Sequence, residues 1–143
     1  MAQKDKEFWW NDYIAATTAV IAVLAAITSL RAGSAASSLL LEKNNSNYYQ
    51  AKANKEWNSY LAKPSQQKLR QQAESLEKQA GDSMVKADTY FAKNTELTTA
   101  GTFFEVAIAI SAMGVLVKRK LVWVFSLLLS AVGVYYLVLG VLV

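Results

Sequence analysis

The chain has 143 residues, a formal net charge of +4, 53% hydrophobic residues and only 18% charged ones. That is the length of one domain, and it is too apolar for a disordered chain. It contains no cysteine and no histidine, which excludes disulfides, thiolate metal sites, thiol nucleophiles and imidazole acid–base chemistry.

The first twelve residues form a tail of mixed charge, with Lys4, Asp5, Lys6, Glu7 and Asp12. Residues 13–30 follow without a charge. A bilayer core takes roughly 17–25 apolar residues as helix, so this segment reads as a first transmembrane helix. A cleaved signal peptide fits less well, because the acids of the tail spoil a basic leader region. Along the span Ala15, Ala19, Ala22, Ala26, Ser29, Gly33 and Ala36 recur at steps of three and four. Small residues at that spacing let helix backbones approach closely in lipid. The stripe predicts a packing face, used either within the chain or between copies of it.

Residues 31–99 are polar, and they predict an extramembrane antiparallel helical hairpin. The only proline, Pro64, divides the region, since proline starts helices and breaks their interiors. In the second arm Leu69, Ala73, Leu76, Ala80, Ser83 or Met84, Ala87, and Tyr90 or Phe91 make a coiled-coil-like stripe. The first arm offers the less regular series Leu39, Glu42, Ser46, Tyr49, Ala53, Trp57 and Tyr60. With no proline before Pro64, the first span is expected to run on into this arm.

Residues 101–117 hold one charge, Glu105, and residues 121–143 hold none. They read as the second and third spans, with small residues Ala107, Ser111 and Gly114 on one and Ser126, Ser130 and Gly133 on the other. The turn between them, Lys118, Arg119 and Lys120, is wholly basic. Short basic loops stay in the cytoplasm. This places the N-terminus and residues 118–120 inside and the hairpin outside, with Trp9, Trp10 and Trp123 as an interfacial belt. The same three cations could also meet anionic lipid head groups.

The segments AVIAVLAAITSLRAG, NYYQAKANK and FFEVAIAISAMGVLVKRKLVWVFSLLLSAVG, in that order, resemble a bacterial membrane family known as domain of unknown function 4337. The run Tyr48-Tyr49-Gln50-Ala51-Lys52 is the most specific part. The resemblance implies a multi-pass protein of the bacterial inner membrane, with a helical insert between spans one and two, and no assigned activity. Family members usually carry a tryptophan before the tyrosine pair and histidines before the second span. Here Asn47 and residues 91–97 stand at those places, so no histidine-based role carries over.

Candidate sites each have two readings. Glu105 completes Thr102-x-x-Glu105, a capping box at a helix start; alternatively it rings the mouth of an oligomer and attracts cations. Tyr48, Tyr49, Gln50, Lys52 and Trp57 either set the register of the hairpin or form a surface for a partner protein. Phosphate loops, nucleophile elbows and metal-ligand clusters are missing from the sequence, so neither an enzyme nor a cofactor is expected. The basic residues are spread out, which argues against nucleic acid. The expected function is therefore a self-associating scaffold or accessory protein of the membrane. The alternative is an oligomeric channel or ion pathway along the oligomer axis.

Overall fold

The computed structural model describes residues 2–63, 66–117 and 119–142, with side chains described from Asp12 onward. Regular structure among the described residues is all α-helix: α1 is Ala2–Ala62, α2 is Gln67–Val117 and α3 is Lys120–Leu142. All three are long and apolar enough to cross a membrane.

The helix ends follow from local chemistry. α1 contains no proline and a single glycine, Gly33, so nothing interrupts its backbone ladder. It stops just before Lys63, whose successor Pro64 disfavours the helical conformation at the residue preceding it. The Lys63 amide donates back to the carbonyls of Ser59 and Tyr60, at 3.2 and 3.0 Å. Pro64 and Ser65 lie outside the described residues. α2 starts at Gln67, and the Leu69 amide donates to the Gln66 carbonyl.

Gly101 and Thr102 are interior residues of α2. This corrects the capping-box reading of Thr102 and Glu105. There is no helix start here for a cap to satisfy, and the Thr102 hydroxyl instead donates back to the Thr98 carbonyl at 3.0 Å. That is the usual mid-helix use of a threonine side chain.

Burial on both long helices repeats every seven residues. On α1, stepping four and three from Ile14 through Thr18, Ile21, Ala25 and Thr28 to Tyr60, every position is buried or half-buried. On α2 the same holds from Leu69 through Ala73, Leu76 and Ala80 to Ser111. Within each compact unit, a repeat of 3.5 residues per turn keeps one seam turned to a neighbouring helix.

The chain divides into two compact units, Met1–Gly33 with Lys93–Val143, and Ser34–Ala92. The first unit contains all of α3 and parts of the other two helices. Its core gathers Ile21, Ala100, Phe104 and Ala107, with Leu24, Ala25, Ile108, Leu129, Tyr136 and Leu137 against it. Many of its outward side chains are large and apolar, among them Leu30 at 76% exposed and Leu116 at 83%. An aqueous surface rarely shows so many large apolar groups together.

The second unit has a narrower core. Ala53, Ala73, Ala80 and Ala87 are buried, and the Ser46 hydroxyl donates to the Ala80 carbonyl at 3.0 Å. Small side chains at these positions let the two backbones come close. Between the alternatives left by the sequence, Ser83 and Tyr90 are the inward residues. Met84 is 47% exposed and Phe91 is 57% exposed.

Candidate functional site

Within the first unit, α3 lies against α2 through small residues. A Cβ placed on Gly114 would lie 3.5 Å from the Trp123 amide nitrogen. One on Gly133 would lie 2.9 Å from the Phe104 ring, and one on Gly140 2.9 Å from Leu97. These contacts fix the register: α3 follows α2 from Gly114 back to Leu97. Phe103 and Tyr136 stack across the same pair, with centroids 5.7 Å apart and planes 7° from parallel.

Hydroxyl groups join α1 to both partners. Thr18 and Ser111 share a hydrogen bond of 2.6 Å between their side-chain oxygens. Trp123 donates its indole N–H to the Thr17 hydroxyl at 3.1 Å. Both hydroxyl groups of α1 also donate to carbonyls of their own helix. One short patch thus ties the three helices together with neutral groups, which suits an apolar surrounding. Neither threonine was singled out from the sequence, where they look like ordinary span residues.

The small-residue faces divide into two kinds. Ala107, Ser111 and Gly114 on α2 are buried, as are Ser126, Ser130 and Gly133 on α3. The stripe on α1 is different. Ala15, Ala19, Ala22, Ala26, Ser29 and Gly33 are all exposed, and only Ala36 is half-buried. Helix α1 meets its own chain through Ile14, Thr18, Ile21 and Thr28 instead.

Glu105 is exposed on α2. Among the described residues nothing hydrogen-bonds or ion-pairs with its carboxylate. Its place along α2 differs from the expected span start. It falls between Leu97 and Gly114, the two ends of the stretch paired with α3, about 12–14 Å from each at 1.5 Å per residue. The exposed residues Thr98, Thr102, Ala109 and Ala112 lie on its side of the helix, at steps of three and four.

In the second unit the aromatic and polar residues picked out from the sequence separate. Tyr49 and Trp57 are half-buried, while Tyr48, Gln50 and Lys52 are exposed. Tyr48 packs edge-on against Tyr49, with centroids 5.5 Å apart, and Trp57 packs edge-on against Tyr60 at 5.9 Å. The Lys52 ammonium lies 5.0 Å from the centre of the Tyr48 ring. Its pKa is held above the ordinary lysine range, first by a hydrogen bond to Tyr48 and then by charge interaction with it. The Arg70 pKa is likewise raised, first by its bond to Glu74 at 2.8 Å, with Tyr60 contributing.

Arg119 and Lys120 are exposed at the start of α3; Lys118 and the side chains of Trp9 and Trp10 lie outside the described residues. Among the described residues, Asp and Glu side chains do not gather in threes as a metal site would need.

The family described as Domain of unknown function (DUF4337) matches residues 10–67 and 59–143. No curated protein matches the chain. No solved structure matches it either.

Proposed function

We propose that this chain, which belongs to the DUF4337 family, is a multi-pass protein of the bacterial inner membrane that assembles with copies of itself as a scaffold or accessory subunit. The observation that carries this reading is the divided use of small residues. The small faces of α2 and α3 are spent on packing within the chain, whereas the longest one, on α1, stays exposed. In lipid no hydrophobic force drives helices together, and close backbone approach along such a stripe is what favours association. The second unit then stands outside the membrane as an antiparallel hairpin, an arrangement supported by the Ser46–Ala80 bond and by the influence of Tyr60 on Arg70. Its exposed Tyr48, Gln50 and Lys52 are available to a partner protein. Catalysis and nucleic-acid binding have no group in this scheme to serve them.

Assembly is tested by replacing Ala22 and Ala26 with leucine together. In nanodiscs, wild-type protein is expected to show a multimeric mass, and the double variant to shift towards monomer. Val20→Ala, also at an exposed position of α1 but off the stripe, is expected to leave the mass unchanged. A monomeric wild-type chain would remove the proposal.

Orientation follows from the basic turn at residues 118–120, which favours a cytoplasmic N-terminus. Because the chain has no cysteine, Ser65→Cys offers a unique thiol. A membrane-impermeant maleimide is expected to label it on intact cells from which the outer barrier has been stripped. Labelling only after lysis would reverse the topology.

A further inference from the structure

We propose that the face of α2 carrying Thr98, Thr102, Glu105 and Ala109 lines a water-filled path for small monovalent cations, formed between copies of the chain. This rests on the self-association above and adds a transport activity to it.

The argument starts from depth. The α2–α3 register puts Glu105 near the middle of the stretch that α3 covers. If these helices cross the bilayer, the carboxylate is at the level of the hydrocarbon core, far from either head-group layer. A carboxylate facing lipid tails is among the most expensive placements a membrane helix can make. Ionisable residues inside spans therefore face a bundle interior or a water-filled cavity, and they mark ion pathways. Within its own chain Glu105 has no such shelter: it is exposed and nothing hydrogen-bonds or ion-pairs with it among the described residues. A second copy of the chain has to supply it.

The surrounding residues suit that use. The exposed side of α2 around Glu105 carries Thr98, Thr102, Ala109 and Ala112, which offer hydroxyl oxygens and short side chains beside the carboxylate. It is bordered by Val106 and Met113 and continued by Leu116, which suit lipid. Thr102 donates its proton to the Thr98 carbonyl, which leaves its oxygen to act as an acceptor. Oxygen donors of this kind replace the hydration of hard cations. One carboxylate per chain, repeated around the assembly, makes a ring that attracts cations and repels anions.

The test uses full-length protein in vesicles. Potassium-loaded proteoliposomes are diluted into N-methylglucamine buffer with a protonophore and a pH-sensitive dye, and assembly is measured in parallel by cross-linking. Wild-type protein is expected to release potassium above empty vesicles. Glu105→Gln is expected to fall to the empty-vesicle level while still assembling. Assembled wild-type protein that releases no more than empty vesicles overturns the path and leaves the assembly standing. So does undiminished release by Glu105→Gln. Failure of wild type to assemble instead overturns the scaffold reading.

A second measurement does not depend on Glu105 being replaceable. In this cysteine-free chain, Thr102→Cys should react with a charged, water-borne methanethiosulfonate, whereas Leu128→Cys, at an exposed apolar position of α3, should not. Equal protection of both cysteines in assembled protein overturns the path.

Discussion

Replacing Phe104 by alanine is expected to cost about 3–5 kcal/mol, the largest loss of any single substitution considered. Phe104 is fully buried and its ring lies against Gly133, so truncation opens a void where α2 and α3 meet. The reverse fault is also available. Gly133→Ala brings a methyl within 2.9 to 3.2 Å of three ring carbons, and a fully buried ring has little room to give. Overpacking of that kind costs about 1–3 kcal/mol. The two faults should offset each other. A double variant, Phe104→Leu with Gly133→Ala, is expected to be more stable than the sum of its single variants predicts. The measurement is reversible unfolding in mixed micelles, analysed as a double-mutant cycle. Strict additivity would mean that the ring and the glycine do not bear on each other.

Ala80→Leu is the second large effect, at about 1–3 kcal/mol. Ala80 is 2% exposed, and its carbonyl receives the Ser46 hydroxyl. A leucine there has to push the two backbones apart and break that bond. Met84→Ala, at an exposed position of the same unit, should stay within about 0.5 kcal/mol. Hydrogen exchange of residues 46–90 reads the difference. Comparable losses at Met84 and Ala80 would place the seam elsewhere.

These two contrasts show what the sequence makes legible. In residues 39–90 polar and apolar side chains alternate strongly enough to give the helices, the break near Pro64 and most of the inward positions. Methionine and phenylalanine look like better core residues than serine and tyrosine, so composition could not choose between Met84 and Ser83 or between Phe91 and Tyr90. The seven-residue repeat decides: Ser83 and Tyr90 continue into Leu97 and Phe104.

In the apolar spans the contrast vanishes. Every residue there except Glu105 is compatible with lipid, so the phase of the inward face is invisible to a hydrophobicity argument. Stepping back by seven from Tyr49 to Glu42, Ala35, Thr28, Ile21 and Ile14 recovers it. The small stripe beginning at Ala15 was the more conspicuous pattern, and it lies on a different side of α1. Glu105 shows the same limit in another form. The Thr-x-x-Glu spacing matches a helix start, but a motif of two residues carries no information about whether the helix starts there. Only the continuity of α2 through Gly101 and the pairing with α3 put the carboxylate mid-length.

The uninterrupted repeat on α1 and α2 limits how this chain can change length. A deletion of one or two residues in either arm of the second unit would rotate everything beyond it by 100° or more, turning charged side chains onto the seam. Removing a whole seven-residue block leaves the phase almost untouched, provided the opposite arm loses a matching block. The second unit can therefore be shortened or extended only in paired sevens, like a ladder whose rungs are counted on both rails.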